Sequence, residues 1–175
     1  MRIGIFGGSF DPIHNGHLML ANFARHELKL HKVIFVPTYK SPKNYKTGVT
    51  SYKHRLNMLE WALNDDSEFE ISDVEIKRRK ISYTIDTVKY FKKRYPKDKL
   101  YLILGPDMEI LNFKDCKKIL KLVEIADEHY FNYPQIDIRS TLIRKIVSYN
   151  HPIKYLVPES VKDYIKLYKL YRRKK

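Results

Sequence analysis

Two histidines three positions apart, His14 and His17, stand in a run that reads Gly7-Gly8-Ser9-Phe10-Asp11-Pro12-Ile13-His14-Asn15-Gly16-His17. Before it lies the apolar run Ile3-Gly4-Ile5-Phe6, and after it Leu18, Ala21, Ala24 and Leu28 fall at helical spacing. The run is therefore a Gly-rich turn between a strand and a helix. A helix start offers unpaired N–H groups and the positive end of the helix dipole, and glycines let the main chain come close to a ligand. That chemistry suits phosphate, with both imidazoles able to face it from the first turn. The competing chemistry is a metal pair, but helix-borne metal histidines sit at i and i+4 with a carboxylate partner, a spacing that His14-Asn15-Gly16-His17 lacks.

Three further groups could share a site with them. The apolar run Leu100-Tyr101-Leu102-Ile103-Leu104 stops at Gly105-Pro106-Asp107. Ligands in open α/β sheets bind beyond the carboxyl ends of strands, so Asp107 stands where either a ligand-contacting carboxylate or a helix cap belongs. Ser140-Thr141 opens a helix with Arg144 one turn on, either solvated or pointing at phosphate oxygens. Ser82-Tyr83-Thr84 opens another, with Ser82 or Thr84 as its cap.

The elements that must position these groups follow from periodicity. Residues 2–6 read as a buried strand, 16–30 as its helix, and Val33-Ile34-Phe35-Val36 as a second parallel strand, which makes a βαβ unit. Pro37 to Thr50 reads as a long loop of the kind that covers substrates. A helix is predicted from about Ser51 to Asn64, capped by Thr50 or Ser51, with Leu56, Leu59, Trp61 and Leu63 as its apolar positions. Phe69 to Ile76 alternates like a partly exposed strand interrupted near Ser72-Asp73, and the helix after Ser82 ends before Pro96. Residues 115–125 read as an amphipathic helix, Tyr130-Phe131 as a short strand, and the last two helices start at Ser140 and at Pro158-Glu159-Ser160, the second running to about Tyr171. Strands alternating with helices give an α/β, Rossmann-like doubly wound parallel sheet, with a small C-terminal helical part at about 139–175 of one domain spanning 1–175.

Composition narrows the partners. A chain of 175 residues with 34 Lys and Arg against 20 Asp and Glu carries a formal charge of +14. The excess collects in Lys77-Arg78-Arg79-Lys80, Lys89 to Arg94 and Arg172-Arg173-Lys174-Lys175, which read as solvated faces and a frayed end. A nucleic-acid surface is the alternative, but a phosphate-rich small substrate explains basicity as well. The lone Cys116, the absence of a signal-like segment and the lack of a long apolar run lead us to expect a soluble cytoplasmic protein without a membrane partner.

The motifs carry a family resemblance across nearly the whole chain. Gly7 to Leu18 resembles the nucleotidyltransferase signature with its HxGH element. Ser82 to Thr87, Gly105-Pro106-Asp107 and Ile138-Arg139-Ser140-Thr141-Leu142-Ile143-Arg144 resemble three further motifs of bacterial nicotinate-nucleotide adenylyltransferases, and Leu156 to Ile165 is similar to their C-terminus. The resemblance implies adenylyl transfer from ATP to nicotinate mononucleotide. Relatives that use nicotinamide mononucleotide or phosphopantetheine are the nearest alternatives, although the latter usually carry Thr in place of His14. It implies that His14, His17 and Arg144 act on the phosphates, that Gly8, Ser9, Phe10, Gly105, Asp107, Ile138, Ser140 and Thr141 hold ATP, and that Lys43, Ser82, Tyr83, Thr84 and Phe113 hold the mononucleotide. Mg²⁺ would arrive bridging the phosphates, with no protein side chain as ligand, and a homo-oligomer is compatible with the family.

This chain departs from the family pattern at four places. Phe113 stands nearest the tryptophan that stacks on the pyridine ring, and Ser41-Pro42-Lys43-Asn44 replaces Pro-Pro-His-Lys. Arg139 replaces the first serine of Ser-Ser-Thr, and the span from Glu124 to Asp137 is shorter than the family's.

Overall fold

Burial on both faces of a sheet explains why the strands read as unbroken apolar runs. In a computed structural model of the chain, residues 1–42, 49–106, 108–127 and 137–173 are described. Five strands, β1 (Arg2–Gly8), β2 (Lys32–Pro37), β3 (Phe69–Ile71), β4 (Lys99–Ile103) and β5 (Glu124–Ala126), form one parallel sheet in the order β3-β2-β1-β4-β5. Along β2, Val33 and Phe35 enter one core and Ile34 and Val36 the other; along β4, Tyr101 and Ile103 oppose Leu100 and Leu102.

The helices are α1 (Asn15–Glu27), α2 (Tyr52–Leu63), α3 (Val74–Arg78), α4 (Thr84–Arg94), α5 (Cys116–Leu120), α6 (Ser140–Ser148) and α7 (Glu159–Leu167). Leu20 and Ala24 of α1, Met58 and Leu59 of α2, Ile143 of α6 and Val161 and Tyr164 of α7 cover one face. Ile85, Val88 and Phe91 of α4 and Ile119 of α5 cover the other. The fold is thus the doubly wound α/β arrangement, and each such side chain contributes about 1.5–3 kcal/mol by leaving water. Because β1 is flanked by β2 on one side and β4 on the other, the connections diverge at its carboxyl end, where this sheet type opens a crevice.

The structure differs from the sequence-based expectations in several elements. Only 69–71 of the predicted strand 69–76 pairs with β2; 74–78 coils into α3, where Glu75 and Ile76 are both buried. The predicted helix 115–125 divides into α5 and the edge strand β5, whose three residues pair with Tyr101 to Ile103 and are too few to show a period. On α2 the buried residues are Arg55, Met58, Leu59 and Leu63, while Trp61 is 42% exposed and lies edge-on to Tyr164. The last helix stops at Leu167 rather than Tyr171. Neither Ser82 nor Thr84 caps α4, whose N-cap is Tyr83; Ser51 is the N-cap of α2, as expected, but without a side-chain cap bond. The strand expected at Tyr130-Phe131 lies outside the described residues. Among the described residues no helix is long and apolar enough to cross a membrane.

Candidate active site

The turn after β1 and the start of α1 are locked to each other by the two histidines. His14 is the N-cap of α1: its Nδ1 accepts the His17 N–H at 3.3 Å, while His17 Nδ1 accepts the His14 N–H at 3.2 Å. This is a capping box built from imidazoles instead of Ser and Glu. The rings stack with centroids 3.5 Å apart, and a Cβ on Gly16 would meet the His14 ring at 3.2 Å, so glycine between the histidines leaves room for the stack. Burial lowers the His14 pKa from its ordinary 6.5 to about 4. Burial, and then the neighbouring His14, holds His17 well below the ordinary value too. Both imidazoles are therefore neutral at physiological pH. With each Nδ1 lone pair accepting a main-chain N–H, the single ring proton of each belongs on Nε2.

Beneath them the turn is shaped by Phe10, which takes a positive φ of 49°. That conformation costs a non-glycine residue on the order of 1–3 kcal/mol. Its ring is wedged against Phe6, Phe35 and His17, with centroids 5.1–5.6 Å away, and this packing offsets the strain. It also folds back under Gly8, where a Cβ would meet the Phe10 ring at 2.9 Å. Asp11, 2% exposed, anchors three distant segments. Its Oδ1 accepts the Tyr171 hydroxyl at 2.8 Å, its Oδ2 accepts the Thr50 N–H at 3.1 Å, and its carbonyl accepts from Arg144 at 2.7 Å. Ser140 Oγ donates to the Pro12 carbonyl at 2.8 Å, so the start of α6 is held against the turn, and Ile138 lies beside Gly16.

The other half lies past the carboxyl ends of β2 and β4. Ser82 Oγ accepts the Tyr39 N–H at 3.0 Å, and the Ser82 N–H donates to the Lys40 carbonyl at 2.8 Å. Behind it the buried Glu75 takes a hydrogen bond from Thr87, and burial raises its pKa above the usual carboxylate range. Lys114 sits 4.3 Å from the centre of the Tyr83 ring, which brings the 113–114 segment to the start of α4. Tyr83 and Phe113 are both partly buried against the core beneath α4.

The structure thus gathers His14, His17, Gly8, Ser9, Phe10, Ile138, Ser140 and Arg144 around one turn. Gly105 follows the carboxyl end of β4, whose Ile103 pairs with Phe6 of β1. Ser82, Tyr83, Thr84 and Phe113 form a separate cluster; Thr141 is exposed at the start of α6. Lys43 and Asp107 lie outside the described residues. Sequence reasoning passed over Asp11, Tyr171, Lys114 and Arg55. Asp11 was legible as part of the turn, and Arg55 as a lone charge on the stripe that Met58 and Leu59 share at i+3 and i+4. Tyr171 and Lys114 gave no local signal.

Among the described residues no group of three or more His, Cys, Asp or Glu side chains is placed to hold a metal ion. Neutral imidazoles whose second nitrogens cap a helix, with serine and arginine beside them, are a donor set for phosphate oxygens.

A parallel sheet of this order with a two-histidine helix start at the carboxyl end of its central strand defines a nucleotidyltransferase. Residues 5–146 match the cytidylyltransferase-like family. A curated protein of Desulfitobacterium hafniense, described as a probable nicotinate-nucleotide adenylyltransferase, is 42% identical over 198 aligned positions covering 98% of this chain and 96% of its own length. One from a Thermoanaerobacter species with the same description is 43% identical, covering 99% and 95%. A solved Plasmodium falciparum nicotinic acid mononucleotide adenylyltransferase, complexed with NaAD, shares the fold with a TM-score of 0.76 at 24% identity, covering 97% of each chain. The chain belongs to the nicotinate-nucleotide adenylyltransferase family. Because 198 aligned positions exceed its 175 residues, the Desulfitobacterium relative carries segments that this chain lacks.

Proposed function

We propose that this enzyme transfers the adenylyl group of ATP to nicotinate mononucleotide, giving nicotinate adenine dinucleotide and pyrophosphate. The observation that carries the reading is the imidazole capping box. It leaves two neutral rings side by side, each with its Nε2–H free to donate, at the positive end of α1.

The reaction needs no protein nucleophile. A phosphate oxygen of the mononucleotide attacks the α-phosphorus of ATP in line with the departing β-phosphate; the new P–O bond forms as the bond to the α,β-bridging oxygen breaks, and that oxygen leaves with the pyrophosphate. Catalysis then consists of holding two polyanions in line and countering the charge that grows on the leaving group. His14 and His17 donate to the phosphates without first losing a charge of their own. Main-chain groups of Gly8, Ser9 and Phe10 line the approach to the triphosphate. Arg144 keeps one guanidinium nitrogen on the Asp11 carbonyl and, with its side chain one-third exposed, has the rest of its fork for the β- and γ-phosphates, beside Ser140 and Thr141. Ile138, Gly105 and Asp107 hold the adenosine. ATP enters as its Mg²⁺ complex, the hydrated cation bridging phosphates as part of the substrate.

The acceptor ring stacks on Phe113, and its carboxylate takes N–H groups at the start of α4, near Ser82, Tyr83 and Thr84, with Lys43 as a further basic contact. The names of the curated relatives, and the NaAD held by the Plasmodium enzyme, favour nicotinate over nicotinamide. Pyrophosphate release from ATP with each mononucleotide in turn tests the reading. Release is expected only when an acceptor is present and more efficiently with nicotinate mononucleotide.

A further inference from the structure

Arg55 is among the largest fully buried side chains, 1% exposed on the inner stripe of α2. Its Nε donates to the Thr50 carbonyl at 3.0 Å, one Nη to the Ser9 carbonyl at 2.6 Å, and the other Nη to the carbonyls of Thr38 at 2.6 Å and Tyr39 at 3.4 Å. A buried guanidinium ordinarily takes a carboxylate directly. Here the fork is spent on main-chain oxygens, while Asp11 supplies opposite charge from further away.

The four carbonyls come from three places that a substrate pair must bridge. Ser9 lies in the turn after β1, Thr38 and Tyr39 just beyond β2, and Thr50 just before α2. The Ser9–Phe10 peptide is trans, so with the Ser9 carbonyl fixed on Arg55 the Phe10 N–H is directed away from it. Thr50 is gripped at both ends, its carbonyl by Arg55 and its N–H by Asp11. Tyr39 in turn passes its N–H to Ser82.

We propose that Arg55 is a positioning residue for adenylyl transfer: one buried fork holds the Ser9–Phe10 peptide on the ATP side, the main chain at 38–39 on the acceptor side, and Thr50, which Asp11 also grips, in a single register. The proposal rests on the reading that the 8–10 turn holds ATP. It goes beyond that reading in assigning the alignment of the two substrates to a residue that touches neither. Lysine cannot substitute, because an ammonium presents its donors from one point and cannot span three segments in a plane.

Arg55→Lys is compared with Leu63→Ala, a core truncation at the far end of the same helix, in the pyrophosphate-release assay with ATP and nicotinate mononucleotide varied separately. Arg55→Lys is expected to lower kcat/KM by about tenfold to a hundredfold and to raise KM for both substrates, since small misplacements of bound reactants have effects of that size. Leu63→Ala is expected to lower Tm while keeping the wild-type constants. Constants for Arg55→Lys within about twofold of those for Leu63→Ala would overturn the assignment. Absence of turnover in the wild-type chain would instead remove the proposed function, so the two failures are distinct. Hydrogen exchange on the wild-type protein tests the same claim without a variant. The Thr38, Tyr39 and Thr50 amides, bonded to the Gly8 carbonyl, Ser82 Oγ and Asp11 Oδ2, are expected to open together with similar protection. Protection factors more than about tenfold apart would contradict a shared pin.

Discussion

The proposed ATP side and the proposed acceptor side of this site are built by different means. Around the turn after β1, nearly every polar group is already engaged by the protein. The two histidines cap one helix, Asp11 ties in Thr50, Tyr171 and Arg144, and Ser140 holds Pro12. The acceptor side is assembled from segments far apart in sequence, Tyr39 and Lys40 beyond β2, Ser82 to Thr84 at α4, and Phe113 with Lys114 after β4. On the proposed function, bond exchange falls to one preorganised turn, braced by hydrogen bonds from segments that are themselves distant in sequence. Acceptor choice falls to a junction of several segments, coupled to that turn through Arg55 and to one another through Tyr39, Lys40 and Ser82.

His17→Ala cuts deepest into that division. Removing one preorganised phosphate donor lowers kcat by about a hundredfold to a thousandfold, with KM for nicotinate mononucleotide nearly unchanged; an acceptor KM that moved as far as kcat would erase the distinction between the sides. Phe113→Ala probes the opposite half. Loss of a stacking face raises the acceptor KM by about fivefold and leaves KM for ATP as it was, and steady-state kinetics with each substrate varied checks both.

Acid sharpens the contrast, because buried neutral histidines belong to the ATP side. Above about pH 6.5 His14 is neutral in both the folded and unfolded chain, and its burial adds no pH dependence. Below that value the unfolded chain takes up the proton first, so stability falls until about pH 4, where the folded form protonates as well. Thermal unfolding followed from pH 7 to 4.5 is expected to show a steeper loss for the wild type than for His14→Asn, which keeps an N-cap without the titrating ring. The smallest effect is that of Tyr171→Phe. It deletes the hydroxyl on Asp11 and lowers unfolding free energy by about 1 kcal/mol in urea titrations.

How far the sequence could be read follows the same boundary. The central strands, α1 and the turn of Gly7 to His17 between strand and helix were legible because the signals are local: continuous apolar runs, a helical period, a glycine-bounded turn. What escaped was set by tertiary contacts. Glu75 alternates as a strand residue would but is buried beside Ile76 in a short helix, and β5 is too short to show a period. Arg55 and Tyr171 are an arginine in a helix and a tyrosine in a basic tail until the fold brings them beneath the turn. The acceptor residues became nameable through family resemblance, since nothing in Ser82 to Thr84 or Phe113 alone specifies a pyridine ring.

The claim that a fixed ATP half serves a nicotinate-selective acceptor half is tested most directly by pyrophosphate release from ATP, measured side by side with nicotinate and nicotinamide mononucleotides. The expected result is no release without acceptor and a clearly higher kcat/KM with the nicotinate form. Equal or higher efficiency with nicotinamide mononucleotide would contradict the assigned selectivity, and release with phosphopantetheine alone would contradict the assigned reaction.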